Sequence, residues 1–524
     1  MSQEFTDSEI KEVIPARGVP MGRKATAAEF AARQLGGDVS PEVPPPSRLA
    51  LSEVGTPPEK SPPHGIPFKL IPKERYTDPA YMQREWTGMW SKTWTLAGRV
   101  SDVTEPGDYF TYSLGKESFL IVRDEDEQLH AYYNVCLHRG NRLRAESGCG
   151  HTVSFQCIYH HWEWHLDGSV KRIPDMDTFP NKLDCDALRL NEVKVGEWGG
   201  FVFINMDSNC ESLEDFLGVI PEHLNPYRFN EMVLVSDQTV AWDCNWKTSV
   251  DAFNEAYHIQ GIHPQLLSWM DDYYIQWDIL GRHTRMLVPM GVPSPRFNEQ
   301  ADPSSDLADM IEKAGLSADD FKGRAREVRK AIQEHRRSRQ DSEPHMPYAN
   351  LNDDQLSDDY HYTIFPNWTM NIYPDAMMLF LSRPHPTDPN KCFWDLQFYA
   401  YHDPSEPRPE PPERTYHNAT EIDLGEVLNQ DAMSLPYVQE GMNSDAYKGL
   451  ILVEQEVRIL AFHHALEEYV GPVRWQFPPS QLTEMELFLT RIEVSKFRAH
   501  LFGILSIATL PFRLSPHQCT NKMI

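Results

Sequence analysis

Two short clusters, Cys136-Leu-His138 and Cys157-Ile-Tyr-His160, each offer one thiolate and one imidazole. They lie in NVCLHRGN and FQCIYHHW, with residues 139–156 between the inner ligands, so two tight loops could close around one metal centre. A Cys2His2 set could be structural zinc, but zinc fingers usually place both cysteines in one pair and both histidines in the other. Mixed pairs suit a Rieske [2Fe-2S] cluster better, since there both cysteines hold one iron and both histidines the other. Gly140 and the Gly-Ser turn at Gly168 read as points of loop flexibility.

A second constellation lies in NWKTSVDAFNEAYHIQGIH, residues 245–263, which carries Glu255, His258 and His263. In an ideal helix, histidines four apart share a face, whereas a separation of five turns the second off it. Convergence therefore requires a local break, and Gly261 is the expected source. Two imidazoles plus a carboxylate with open positions describe the facial triad of non-haem Fe(II) oxygenases. Taken alone, the pair reads more simply as satisfied or surface histidines; beside a Rieske-type set, the metal reading gains weight.

These ligands need loops and helices to hold them, and the chain has the means to build both. With 524 residues, 40% of them hydrophobic and 11% aromatic, it can bury the cores of several domains. A net charge of -28 at pH 7 argues against nucleic acid or an anionic membrane as the main partner. The start, MSQEFTDSEIKEVIP, has no basic region followed by an apolar core, so no secretory signal is expected. The run LFGILSIATL falls well short of the roughly 20 apolar residues that span a bilayer. Besides Cys136 and Cys157, the thiols Cys149, Cys185, Cys210, Cys244, Cys392 and Cys519 are scattered without paired spacing, which fits a reducing cytoplasm better than a disulfide framework.

Residues 1–67 are rich in proline and small polar residues and read as an extended arm. Aromatic spacing in MQREWTGMWSKTW predicts a core-facing helix within residues 76–94. Alternating segments YFTYSL, FLIVRD, LHAYYNV, TVSFQCI and WEWHLDG predict a small antiparallel β domain with the clusters on two of its loops, closed by GGFVFINM. The expected units are the arm, a helix and cluster domain over 68–207, and a mixed helix-strand domain over 208–524. Inside the last, residues 299–343 are charged and helical in pattern, read as a surface helix pair or, more sharply, as a lid. Strand-like YHYTIFPNWTMNIYP, AMMLFLSRP and FWDLQFYAY follow, then a breaker at 403–414 and a helical block from about Glu421 to Gly441.

From about Tyr76 to Gly441 the chain resembles the large (α) subunit of Rieske non-haem iron ring-hydroxylating oxygenases. The carriers are CLHRGNRL with CIYHHWEWHLDGSV, NWK with DAFNEAYHIQGIH, FPNW, SRPHP and QDAMSLPYVQEGM. The resemblance implies an α+β fold: a small antiparallel β Rieske domain plus a larger catalytic domain with a curved antiparallel sheet and helices, helix-grip-like. It implies that Cys136, His138, Cys157 and His160 hold the cluster and that His258 and His263 bind a mononuclear Fe(II). Asp431 is implied as the third iron ligand, ahead of a Gln-x-Gly at Gln439-Glu-Gly441, with Glu426 and Glu440 as bland helix carboxylates. The chain departs from the family at Glu255, which replaces the usual bridging Asp, and at Asp251-Ala252, which replaces a Glu-Asn pair and loses an amide.

By the same resemblance the activity is that of a terminal oxygenase, hydroxylating, cis-dihydroxylating or oxidatively dealkylating an apolar or aromatic small molecule with O2. The competing reading is a two-metal electron-transfer or binding protein. No nucleotide loop is present, so NADH acts through a separate reductase, with or without a ferredoxin. A homotrimer is implied, the need for a β subunit being left open, and electrons pass from His160 or His138 of one copy through Glu255 to His258 of the next. Arg139, Arg142, Arg144, Lys171 and Arg172 flank the cluster loops and could attract an acidic donor or simply solubilise the surface. Pocket candidates are Leu266, Trp269, Met286, Phe365, Met370, Ile372 and Phe380, with Arg383 available for a substrate carboxylate or a structural role.

Overall fold

The computed structural model describes residues 45–46, 54–145, 148–297, 300–419, 421 and 423–472. Most of the expected arm, Glu299 at the start of the charged insertion, Cys519 and the LFGILSIATL run lie outside the described residues. Residues 54–67 of the arm form no helix or strand, but they are docked. Thr56 donates from its amide to Gln355 Oε1 at 2.7 Å, and Ser61 donates to Asp278 Oδ1 at 2.7 Å. Among the described residues, no helix is long and apolar enough to cross a membrane.

The expected aromatic helix is present as Pro79–Glu85 continuing into a wider turn, Trp86–Trp90. Asp78 caps it through the Ala80 amide, and Pro79 sits at the first helical position, where its missing N–H costs nothing. A seven-stranded sheet follows, in the order Thr95–Arg99, Phe201–Asn205, Glu192–Trp198, Leu129–Tyr133, Glu117–Arg123, Asp108–Leu114 and Cys149–His151. GGFVFINM thus supplies a strand that pairs with both Thr95–Arg99 and Glu192–Trp198. TVSFQCI is strand only at Phe155–Gln156, because Arg144 and Thr152 side chains donate to the Ser154 carbonyl and hold the preceding backbone as a loop.

The larger region is built on a curled eight-stranded sheet. Its order is Gln276–Leu280, His283–Val288, Asp359–Ile364, Trp368–Ile372, Ala376–Pro384, Cys392–Tyr401, Met232–Trp242 and Thr415–Asn418, antiparallel except for the last pairing. Side chains alternate between its two faces. Tyr360, Tyr362, Ile364, Met370, Ile372 and Leu379 join one apolar core with Phe201, Phe203, Phe216 and Phe229. The opposite face, bearing Thr284, Met286, Asp359, His361, Thr363 and Phe380 by register, is covered by the helices Trp246–Ala252 and Val457–Val470.

The charged insertion contains the helices Ser305–Lys313 and Val328–Ser338, whose inner sides share an apolar cluster of Leu307, Ile311, Phe321, Val328 and Ile332. Arg329 latches this pair down through Asp354 and Asp358, each at 2.7 Å, immediately before the strand Asp359–Ile364.

Candidate metal centres

The two cluster loops have matching backbones. In the first, Gly140 N–H donates to the Cys136 carbonyl at 3.0 Å, and Cys136 N–H to the Asn141 carbonyl at 2.8 Å. In the second, His161 N–H donates to the Cys157 carbonyl at 2.9 Å, and Cys157 N–H to the Trp162 carbonyl at 2.8 Å. Gly140 (φ +76°) and His161 (φ +58°) occupy the same left-handed position in each turn. Gly140 therefore serves a fixed turn geometry rather than flexibility, and so does Gly168 (φ +80°), where a Cβ would meet the Tyr132 ring.

Both cysteines are buried in the apolar cluster of this region, and burial raises the Cys136 thiol, with the neighbouring Cys157 adding to the rise. The His138 and His160 rings stand 4.5 Å apart, His138 stacking on Trp162. Nδ1 of His138 is buried with no protein partner. Desolvation, with His138 and Arg139 nearby, lowers His160, favouring the neutral imidazole that can ligate iron. Two adjacent thiols inside and two adjacent imidazoles outside, one with an unsatisfied nitrogen, fit a Rieske-type cluster.

Of the flanking basic residues, Arg144 is committed to the loop through Thr152 and Ser154, and Lys171 pairs with Glu163 at 2.9 Å. The Arg139 guanidinium lies over the Tyr159 ring at 5.3 Å.

The second centre forms where the helix Trp246–Ala252 ends. Asn245 caps that helix and ties it to the Tyr76 and Pro389 carbonyls. Gln439, from the helix Glu426–Met442, accepts from Asn245 N–H at 2.8 Å and Thr248 Oγ1 at 3.1 Å, which sets the two helices against each other. After a non-helical stretch comes a single turn, Ile259–Ile262, with His258 and His263 as its flanking residues. Gly261 does not supply the break: it lies inside the turn and is not among the positive-φ glycines. The histidines converge because the helix is one turn long and they flank it, His258 still in helical geometry (φ -73°, ψ -20°) and His263 already out of it (φ -121°, ψ 45°).

Ligand atoms of His258, His263 and Asp431 all lie within 4.8 Å of one another. Asp431 Oδ1 is 3.1 Å from His263 Nε2 and 3.9 Å from His258 Nε2. Each other ring nitrogen is already engaged: His263 Nδ1 contacts Gln430 Oε1 at 2.6 Å, and His258 Nδ1 contacts Glu255 Oε1. Acceptors at both Nδ1 atoms favour the tautomer that would present each Nε2 to a metal beside Asp431. Burial opposes charge on His258, yet Glu255 and Asp431 outweigh it and lift the imidazole to about 9. The same negative field favours a cation between the imidazoles, so the donor set fits a divalent metal. Glu426 and Glu440, the bland alternatives on the helix of Asp431, are both exposed.

Glu255 Oε2 is also engaged, accepting from the Tyr257 amide and from the His258 amide at 3.0 Å. Asp251 is engaged by other partners, accepting from Tyr76 Oη at 2.5 Å and lying 3.4 Å from His463 Nε2. Asn254, three residues on, places a buried amide beside the metal loop, its Oδ1 accepting from Thr363 Oγ1 at 2.5 Å.

The pocket candidates divide by sheet face. Met370 and Ile372 belong to the core on the far face, because each is one residue out of phase with the near-face positions, and are not wall residues. Leu266, Trp269 and Met286 share a small cluster, Phe380 packs against Phe253 with ring centres 4.5 Å apart, and Phe365 packs on Phe462. Arg383 forms a two-pronged pair with Asp395, at 2.6 and 2.7 Å, and is structural. Gln430, Asn254, His361 and Arg458 escaped sequence reading. Single polar residues in helices and strands carry no spacing signal, and only adjacency to Asp431 could have pointed to Gln430.

Residues 93–189 match the Rieske [2Fe-2S] domain, and residues 229–471 match the ring hydroxylating alpha subunit (catalytic domain). The chain belongs to the Rieske ring-hydroxylating oxygenase alpha-subunit family. The zinc alternative for the first centre is thereby set aside. Relatives include the glycine betaine monooxygenase oxygenase subunit of Chromohalobacter salexigens, 29% identical over 204 residues, covering 39% of this chain and 45% of the relative. The carnitine monooxygenase oxygenase subunit of Escherichia coli K12 is 35% identical over 196 residues, 37% of this chain and 52% of the relative. The matches span about half the length of these curated relatives. A quaternary ammonium Rieske monooxygenase crystallised with L-carnitine shares the fold at TM-score 0.54 and 22% identity, covering 76% of this chain and 95% of that one. A naphthalene 1,2-dioxygenase variant shares it at TM-score 0.54 and 19% identity, covering 78% and 93%.

Proposed function

We propose that this chain is the terminal oxygenase component of a Rieske non-haem iron system, oxidising a small quaternary ammonium compound with O2. Electrons originate in NADH and arrive through a separate reductase, with or without a ferredoxin. The observation that carries this reading is the convergence of His258, His263 and Asp431 in a chain that also bears a Rieske domain. His258, His263 and Asp431 would hold the mononuclear iron, and Cys136, His138, Cys157 and His160 the cluster. When bound, the cluster stores one electron and the ferrous ion, with open positions beside its triad, supplies the capacity to activate O2.

The chain's own residues prepare that site. Glu255 and Gln430 orient the two imidazoles through Nδ1, and Phe253, two residues before Glu255, packs its ring against Phe380 and Trp394, which anchors the start of the metal loop. In a head-to-tail homotrimer, Glu255 is the group through which His160 of one copy communicates with His258 of the next. Support for a quaternary ammonium substrate, in place of an apolar or aromatic one, comes from the relatives' substrates. The wall near the metal loop is also polar, with Thr284, His361 and Thr363 on the sheet face that Asn254 touches.

The test combines iron-loaded protein, a compatible reductase, NADH and isotopically labelled O2 with L-carnitine, glycine betaine, choline and naphthalene, read by mass spectrometry. Label in an oxidised quaternary ammonium product, or in the aldehyde left by its C–N cleavage, is expected. Iron-dependent NADH consumption with no labelled product from any of them would instead favour an electron-transfer protein.

A further inference from the structure

The two cluster turns are equivalent residue by residue, and the equivalence reaches the fifth position after each cysteine, Asn141 in one turn and Trp162 in the other. Both carbonyls do the same work, Asn141 accepting from the Cys136 amide and Trp162 from the Cys157 amide, each at 2.8 Å. Each side chain then crosses to a ligand of the opposite turn. The Trp162 ring stacks on His138, with centres 4.9 Å apart and planes 6° from parallel. Asn141 Nδ2 donates to Cys157 Sγ at 3.7 Å.

The amide of Asn141 is held the right way round for this contact. Its Nδ2 also donates to the Arg142 carbonyl at 2.7 Å, where the amide oxygen would instead meet another oxygen's lone pairs, so the nitrogen end faces the sulfur. An amide nitrogen carries two protons, and these two acceptors use both. The other thiol is served differently: the backbone amides of His138 and Arg139 donate to the Cys136 sulfur, opposing the rise that burial imposes on it. Backbone donors come with the turn itself, whereas the Asn141 donor comes with a side chain and one substitution removes it. Cys136 and Cys157 are 3% and 1% exposed, so a hydrogen bond to either sulfur acts in a low dielectric and is strengthened there.

We propose that Asn141 is a positioning residue that raises the reduction potential of the Rieske cluster through its hydrogen bond to Cys157. Reduction adds one negative charge to a cluster, and part of that charge falls on its thiolates. A donor aimed at Cys157 therefore stabilises the reduced form more than the oxidised one. Loading from an electron donor is favoured, and onward transfer to the mononuclear centre has less driving force. The inference rests on the Rieske assignment of the two turns and is independent of the substrate.

The test is a redox titration of the full-length, cluster-loaded protein, followed by visible circular dichroism, in wild type, N141L and N141D, with iron and sulfide content measured for each. N141L keeps the branched shape of asparagine without the donor, and its equilibrium constant for reduction should fall about tenfold, which is about 59 mV for a one-electron couple. N141D puts an acceptor-only carboxylate beside the thiolate and should fall at least as far. N141Q, which keeps an amide on a longer arm, should lie between wild type and N141L. A fully loaded N141L whose equilibrium constant changes by less than about twofold overturns the proposal, and so does N141D at the wild-type potential. If neither N141L nor N141D retains a full cluster complement, Asn141 holds the turns together rather than tuning them, and the proposal falls as well. Wild type without the optical and EPR signature of a Rieske cluster after reconstitution with iron and sulfide would sink the assignment of the turns, whereas an intact signature with an unmoved potential sinks the role of Asn141 alone.

Discussion

Lys247 and Glu85 form an ion pair whose rupture would measure how firmly the metal-bearing helix is seated. Lys247 Nζ lies 2.6 Å from Glu85 Oε1, and the two side chains are 0% and 2% exposed. Trp246 Nε1 donates to the other carboxylate oxygen at 3.3 Å, and the ammonium lies 4.9 to 5.6 Å from the Trp246, Tyr76 and Tyr81 ring centres. Burial raises Glu85 and lowers Lys247, each shift opposed by the partner's charge. The pair is therefore close to neutral in net stability, while an orphaned partner is expensive. Replacing Lys247 by Met leaves Glu85 buried without its counter-charge and should cost about 3–5 kcal/mol. Replacing both, as K247M with E85L, should return stability to within about 1–2 kcal/mol of the wild type or above it. Urea unfolding followed by tryptophan fluorescence gives the three values. Because Lys247 lies in the helix that leads into Glu255 and His258, K247M should also hold less mononuclear iron at limiting metal. A loss below about 1 kcal/mol in K247M, or a double variant as unstable as the single one, would refute the reasoning.

Gln430→Leu removes the acceptor at His263 Nδ1 and should weaken mononuclear iron binding by about 10- to 100-fold while the cluster absorbance is unchanged, as read by metal titration with optical spectra. Glu255→Gln should leave both iron centres loaded yet lower labelled product formed per electron consumed; single-turnover electron transfer at the wild-type rate would count against the relay. His283 donates from Nε2 to the Phe216 carbonyl at 2.8 Å and accepts at Nδ1 from Phe365 N–H at 3.1 Å, which requires the neutral ring. Burial, with Arg282 nearby, lowers it to about 4, so its contribution is full above the unfolded value near 6.5 and is lost as pH falls toward 4, at up to about 1.4 kcal/mol per pH unit. H283N should flatten that part of the stability profile, and an unchanged slope in urea unfolding between pH 6.5 and 4 would argue that the ring is not the titrating group.

Much of the fold and site was legible in order and spacing. The cluster ligands sit in two turns whose residues are local in sequence, so spacing reported them directly. Period-two alternation exposed strands such as Asp108–Leu114 and Glu117–Arg123. Alternation failed in TVSFQCI, where polar side chains compete for the backbone. It also could not say which face of a strand meets the site, so Met370 and Ile372 read as wall residues although they belong to the far core. Cys244 and Cys392 had no meaningful spacing, yet their sulfurs are 4.0 Å apart.

By itself the sequence determined the kinds of ligand present, the two turns that hold the cluster residues, and the pairing of His258 with His263, because each depends on atoms a few residues apart. Tertiary structure alone decided which glutamine orients one of those histidines and that Arg383 is satisfied by Asp395, and it brought to the two histidines Asp431, which spacing had not selected and only the family resemblance implied. Those outcomes depend on which segments share a low-dielectric space, 12 residues apart for Arg383 and Asp395 and 167 apart for His263 and Gln430, and there the cost of burying a charge is set by partners that no local pattern records.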